Sequence, residues 1–383
     1  MTIQINREAL EKKLQILASV IPTRSMIPVL DEGLIEVSEE GITITTSDQN
    51  ITISSNIMCE IKDPTTKFDF VCDVRTILGT ISLLKSETIT LYVTDSDVTL
   101  STPRTRKKYQ VPIQHSPEDF PQSRSDKWGA SLRVPGKMFS SMISKASVII
   151  EPNSLMRSLT GINMLTDEGS LIIQGATTQR CCVTTFTPPE GEEFKYIDDV
   201  IIPRSISNVS SSYEKSANIE ISIDEQKRNL MVKDGVTTTL VRLIDAKYPS
   251  IKQLLTAYQP DISVKLLRLD LTMSVKRLSS YINKTDFGVM IDMTDEEMKV
   301  HGGDTDFKKE AEEFIPMEEK SSEMGFVSKF NYKFFGAMLP TFAGDNVYFS
   351  QTGPKKPGFF TDDSYEVFST VWLVSPMLIN NSK

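Results

Sequence analysis

Histidine is almost missing from this chain. There are two, His115 and His301, which excludes an HExxH zinc site or a histidine cluster and argues against Ser–His–Asp chemistry. Cysteine is scarce too. Cys59, Cys72, Cys181 and Cys182 form no CxxC pair, so neither a zinc knuckle nor a disulfide framework is expected. GxxxxGK, GxGxxG and GxSxG are absent, which removes the P-loop, the dinucleotide fingerprint and the nucleophile elbow. No cofactor and no metal are therefore expected. No run approaches the roughly 18 consecutive apolar residues of a membrane span. The opening MTIQINREALEKKLQIL has no basic segment leading into an apolar one, so a reducing, cytoplasmic location is expected. Basic excess is also absent. The net charge is −9, so any role with nucleic acid must rest on a local basic surface.

What is present is repetition. Three segments share a layout: FDFVCDVRTILGTISLLKSETITLYV, DDVIIPRSISNVSSSYEKSANIEISI and GFVSKFNYKFFGAMLPTFAGDNVYFS. Anchored on Asp73, Pro203 and Asn331, they recur about every 130 residues. Each runs on to a proline: Pro121 of an FP pair, Pro249 of a YP pair and Pro376 of an SP pair. The 383 residues thus read as three repeats, 1–124, 125–254 and 255–383.

Each repeat opens with a helical pattern. Leu10, Leu14, Leu17 and Ile21 share a face; so do Phe139, Met142, Ile143 and Ala146, and Leu271, Val275, Leu278 and Ile282. A second helix follows at mid-length, with stripes Val74–Ile77–Leu78–Ile81, Ile206–Val209–Tyr213 and Phe334–Phe335–Met338–Phe342. Between them, residues alternate with period two, as in Ile89–Leu91–Val93 and Ile219–Ile221–Ile223, separated by turn-rich breaks. Paired helices on antiparallel sheet predict an α+β fold. The acidic run around Lys308–Glu319 is expected to be a solvated loop.

Charge is placed unevenly. The helix interiors 74–86, 136–148, 204–213, 271–284 and 332–342 hold no acid, where an even spread of the chain's 51 acids would give about eight. They carry Arg75, Lys137, Lys145, Arg204, Lys276, Arg277 and Lys333 instead. At about 100° per residue these cations fall opposite or beside the apolar stripes. Ordinary solvated faces explain lysine and arginine there; a polyanion nearby explains the missing acids better. No aromatic residues interleave with these cations, so phosphate contact without base stacking is expected.

The order of these elements resembles the bacterial sliding clamps, the β subunits of DNA polymerase III. The matching residues span the chain: Arg24-Ser-Met-Ile-Pro28-Val-Leu30, Thr46-Ser47-Asp48, LTGI from Leu159, ATTQR from Ala176, RLIDAKYP from Arg242, Phe330–Asn331 and the closing Ser375-Pro376-Met377. The resemblance implies three clamp units closing as a head-to-tail homodimer, helices lining a hole and sheet outside. It implies a non-catalytic processivity factor that encircles double-stranded DNA without sequence preference. Polymerase and clamp-loader subunits would bind through short linear peptides. It adds Arg24 to the DNA-contacting set. It places a partner-peptide pocket at Leu159, Thr177, Arg180, Pro249, Leu254, Leu373, Pro376 and Met377, and the dimer interface at Tyr109, Val111, Ser280 and Tyr281. Thr178 and Gln179 depart from the family's Asp-Gly-His core there, and Gln253 and Leu378 stand where relatives carry basic residues. A rim less selective for acidic peptide flanks is expected.

Other readings stay open. The chain could be a repeat-based interaction scaffold that does not encircle DNA, or an enzyme using Asp292 or Asp304. Vicinal Cys181 and Cys182 read as buried thiols or a redox pair. Asp292, Asp295, Glu296, Glu297, Asp304 and Asp306 read as hairpin solvation, since their order does not match a calcium loop. Arg24 reads as a loop ion pair or a phosphate contact, and Trp372 and Leu373 as pocket or core.

Overall fold

The structure is a computed structural model that describes residues 1–62, 68–103, 105–121, 127–189, 194, 197, 199–258, 263–293, 297–320, 326–363 and 368–379. It divides into two compact units. The first holds residues 1–140 and 205–244, the second 141–204 and 245–383.

Seven α-helices are found among the described residues: α1 (Arg7–Ala18), α2 (Val74–Ile81), α3 (Gly136–Ser147), α4 (Ser207–Ser210), α5 (Ile251–Ala257), α6 (Arg268–Leu278) and α7 (Tyr332–Met338). The amphipathic stripes are buried as the spacing requires: Leu10, Leu14 and Leu17 on α1, Val74, Ile77 and Ile81 on α2, Leu271, Val275 and Leu278 on α6. Helix starts are marked by side-chain caps. Asn6, Asp73 and Asn331 accept from the amides of Ala9, Thr76 and Lys333, each worth about 1 kcal/mol. Gly136 opens α3 because a Cβ there would stand 2.1 Å from the Tyr213 carbonyl oxygen.

The expected pattern needs three corrections. Every repeat begins with a strand ahead of its first helix: Thr2–Asn6, Trp128–Val134 and Ser263–Leu267. Segment 204–213 is a short α-turn, α4, between two 3-10 turns, and α5 follows the YP pair where no helix was read. The acidic run is a strand, Lys309–Pro316, paired along its length with Glu297–Asp304. Its alternation explains this. Glu310, Glu312 and Phe314 are exposed while Ile315 is buried.

Among the described residues there are four sheets, all antiparallel. The first unit has an eight-stranded sheet and a five-stranded one; the second has a nine-stranded sheet and a four-stranded one. In each unit the long sheet joins strands from neighbouring repeats. Thr237–Arg242, the last strand of repeat two, pairs with Ile51–Met58 of repeat one. Phe368–Val374, the last strand of repeat three, pairs with Arg180–Phe186 of repeat two. The same two strand positions are used at both joints. Their counterparts are Thr105–Pro112, the last strand of repeat one, and Lys309–Pro316 of repeat three. Both are edge strands, of the five-stranded and four-stranded sheets respectively. The third repeat is further packed by edge-to-face aromatic rings, Phe330 with Phe335 and Phe349, and Phe335 with Phe360.

Candidate functional site

Helix chemistry places most of the predicted cations in water. In the first unit Arg24, Arg75 and Lys137 are exposed; in the second Arg204, Lys276, Arg277 and Lys333 are. Arg75 donates to the carbonyls of Ile21 and Pro22, which ties α2 to the segment leading into Arg24. Arg204 Nε donates to the Ser147 carbonyl at 3.1 Å. Lys333 lies with its Nζ 3.4 Å from the centre of the Phe287 ring and forms no ion pair among the described residues. Arg277 differs. It forms a two-pronged pair with Glu313, at 2.8 and 2.5 Å, so one acid from the edge strand already occupies it.

Lys145 contradicts its expected role. It is 6% exposed, donates to Thr370 Oγ1 at 2.8 Å, and lies 3.9 Å from Asp362 and 4.8 Å from the Phe368 ring centre. Burial holds its ammonium below the usual lysine range, with Asp362 opposing that shift. Lys145 is an internal strut that cannot contact DNA. Helical spacing put it on the flank of α3; the strand Phe368–Val374 covers that flank.

The candidate pocket lies in the second unit. Strand Arg180–Phe186 pairs with Phe368–Val374, setting Arg180 opposite Val374 and Cys181 opposite Leu373. A tight turn precedes it: Thr177 donates its amide to the Arg180 carbonyl at 2.8 Å and its hydroxyl accepts from Gln179 and Arg180. Beyond Val374 the tail is stitched down. The Ser375 amide donates to the Gln179 carbonyl, and the Met377 amide to the Lys329 carbonyl. Backbone bonds therefore bring Thr177, Arg180, Leu373, Pro376 and Met377 together. Leu159 is buried in the 3-10 turn Arg157–Thr160 that leads into the same nine-stranded sheet. Pro249 is half-buried beside Tyr248, and Leu254 on α5 keeps 43% of its surface exposed. Lys252 anchors α5 to the Asp167–Glu168 hairpin.

One feature was missed from sequence. The Arg180 guanidinium stacks over Phe334 of α7, 4.4 Å from the ring centre. Phe334 is therefore half-exposed, while its stripe neighbours Phe335, Met338 and Phe342 are buried. Trp372 is wholly buried core, and Leu373 is 6% exposed. Cys181 and Cys182 are buried thiols; burial pushes Cys181 up to about 12 and Cys182 further, so neither is a reactive thiolate near neutrality.

The interface residues divide. Tyr109 is half-buried on the edge strand, and Ser280 and Tyr281 are exposed. Val111 is buried opposite Val98, so only its backbone reaches the sheet edge. Among the acids, Asp304 caps the hairpin turn by accepting from Asp306 and Phe307 amides. Asp295 and Glu296 lie outside the described residues. Among the described residues no cluster of three metal-ligating side chains occurs, and no helix is long and apolar enough to cross a membrane.

Comparison with known proteins gives consistent results. Residues 1–123 match the model of the DNA polymerase III beta subunit N-terminal domain, and residues 133–250 that of its central domain. A beta sliding clamp of Pseudomonas putida is 21% identical over 340 residues, covering 87% of this chain and 89% of its own. One of Lactococcus lactis is 23% identical over 286 residues, covering 72% and 73%. The solved DNA polymerase III subunit beta of Pseudomonas aeruginosa superposes with a TM-score of 0.88 at 18% identity, over 99% of this chain and 100% of that one. The Thermotoga maritima beta subunit superposes at 0.86 and 17% identity, over 99% of both.

Proposed function

The chain belongs to the DNA polymerase III beta subunit family, and on that premise we propose that two copies close head to tail into a ring around duplex DNA. The ring is a non-catalytic processivity factor acting in the cytoplasm. It consists of three repeats per copy, 1–124, 125–254 and 255–383. One observation carries this reading. The last strand of repeat two pairs with repeat one, and the last strand of repeat three pairs with repeat two. The two strands left over, Thr105–Pro112 and Lys309–Pro316, are the same pair of positions. Joining them between copies yields a third sheet like the other two, and a second such joint closes the circle. A heterologous contact that closes removes every exposed edge of this kind.

The edge sequences favour that pairing. Thr105–Pro112 reads TRKKYQVP, with three cations, and Lys309–Pro316 reads KEAEEFIP, with three acids and one lysine; Glu312 and Glu313 already pair with Lys299 and Arg277. The net charges of the two edges remain opposite, which supports head-to-tail closure over symmetric pairing of like edges. Tyr109 and Val111 are on the first of these strands, and Ser280 and Tyr281, just past α6, would complete the joint from the other copy.

Function follows from topology. Arg24, Arg75, Lys137, Arg204, Lys276, Arg277 and Lys333 give weak, sequence-independent phosphate contacts that permit sliding. Polymerase and loader subunits dock short peptides in the pocket built by Leu159, Thr177, Arg180, Pro249, Leu254, Leu373, Pro376 and Met377. Tethering then raises the polymerase's effective concentration at the primer end. Sedimentation velocity tests closure: a dimer is expected at micromolar concentration, and Tyr109→Glu shifts it to monomer by burying an unpaired charge. A monomeric wild-type protein refutes the ring.

A further inference from the structure

Both joints inside the chain are built the same way. At the first, Ser55 on the receiving strand stands opposite Thr237 on the incoming one, their hydroxyls 2.9 Å apart and buried. Lys13 of α1 donates to the Thr237 hydroxyl at 2.9 Å. At the second, Thr184 stands opposite Thr370, and Lys145 of α3 donates to the Thr370 hydroxyl at 2.8 Å. Lys13 reaches across from one turn earlier on its helix than Lys145 does. Each joint thus sets a cation from the first helix of one repeat against the row where the last strand of the next repeat arrives.

The third repeat carries the same parts. Glu313 holds the receiving position. It lies opposite Val300, as Ser55 lies opposite Ile44 and Thr184 opposite Ile173. Two residues on, Ile315 is buried, as Ile57 and Phe186 are. Arg277 holds the helix position: it precedes Leu278 of the α6 stripe as Lys145 precedes Ala146 of the α3 stripe. Its guanidinium reaches Glu313 through Nε at 2.8 Å and Nη2 at 2.5 Å. Coverage is what differs. The Lys145 side chain keeps 7% of its surface, whereas Arg277 keeps 57% and Glu313 26%. Phe368–Val374 covers Lys145, but Lys309–Pro316 is an edge strand, so the matching side of Arg277 is open.

Resting on the head-to-tail reading above, we propose that Arg277 and Glu313 form the strut of the joint between copies, covered by Thr105–Pro112 of a second copy as Lys145 is covered by Phe368–Val374. The strut is assembled before closure. A two-pronged arginine–carboxylate pair holds its geometry as water leaves, and neither charge is stranded when the strand arrives. The pair uses Nε and Nη2, so Nη1 is what remains of Arg277 for a phosphate. Arg277 therefore serves closure first and DNA second.

The test is dimerisation of the full chain, read by fluorescence-detected sedimentation over a dilution series. Arg277→Gln and Glu313→Gln each leave the other charge alone beneath the covering strand. Each is expected to raise the dimer dissociation constant by about a hundredfold. The exchange of Arg277→Glu together with Glu313→Arg rebuilds the pair in reverse and should bring the constant back to within about tenfold of wild type. Circular dichroism of all variants should match wild type, because the pair is partly exposed in a single copy. If wild type dimerises and both single variants stay within about fivefold of it, the worth of a surface pair, the residues lie outside the joint and the proposal fails while the ring stands. If the exchange is as weak as the two single losses combined, the residues do not act as a pair and the proposal fails as well. A wild type that stays monomeric overturns the ring reading and this inference with it. If Arg277→Gln dimerises as wild type does and only lowers the salt slope of DNA retention, Arg277 belongs to the DNA surface alone and the proposal is wrong.

Discussion

Asp362→Asn is the most informative single change for the interior of the second unit. Asp362 and Lys145 are both 7% exposed at the side chain and 3.9 Å apart. At an effective dielectric of about 20 their attraction is roughly 4 kcal/mol. Removing the acid charge leaves a buried ammonium with only the Thr370 hydroxyl and the Phe368 ring. The amide oxygen can still accept from the Ala343 amide, so that bond is preserved. Loss of one partner of a buried pair costs about 3–5 kcal/mol. For a cooperative block of about 200 residues this lowers Tm by roughly 6–15 °C. Adding Lys145→Met removes the stranded charge and should bring stability back within about 1.5 kcal/mol of wild type. Denaturant unfolding of all four proteins gives the coupling. The reasoning is refuted if Asp362→Asn costs under 1 kcal/mol, or if the double variant is no more stable than Asp362→Asn. Retention on DNA should be unchanged in Lys145→Met.

Three further outcomes are expected. His301 is held below its ordinary value near 6.5, first by burial and then by the Lys299 ammonium, so the unfolded chain takes up the proton first as pH falls; stability should decline from about pH 6.5 downward through the folded value, and His301→Gln should flatten that slope in chemical denaturation at pH 5 to 8. Reversing Lys137, Lys276 and Lys333 to Glu should leave Tm within about 1 °C and reduce the salt slope of DNA retention by about three, since each is exposed and none forms an ion pair among the described residues. Met377→Asp should abolish binding of a short linear peptide at the proposed pocket, measured by calorimetry, while sedimentation still reports a dimer, because the Met377 amide keeps its bond to the Lys329 carbonyl and only the side chain changes.

Local rules carried much of this architecture. Apolar residues at three- and four-residue spacing marked α1, α2, α3 and α6, and the acid-free faces marked six exposed cations. Two kinds of feature were hidden. The first is long-range pairing: Ser55 meets Thr237 across 182 residues, and no periodicity announces which edge strand joins which. The second is burial imposed from outside an element. Lys145 looks like a flank residue until Phe368–Val374 covers it. Nothing local to Arg180 announces that Phe334 of α7 lies beneath its guanidinium. The acidic strand was misread because charge was weighed above alternation. Its outer face is solvated, but Ile315 and the full ladder with Glu297–Asp304 hold it in the sheet.

The central claim is topological capture, and one measurement tests it directly. Protein is incubated with a nicked circular plasmid, passed over a gel-filtration column near physiological salt, and passed again after one restriction cut. Closure by Thr105–Pro112 against Lys309–Pro316 predicts co-elution with the circle and release once the DNA is linear. Equal retention on cut and uncut DNA, or none on either by a protein that sediments as a dimer, contradicts it.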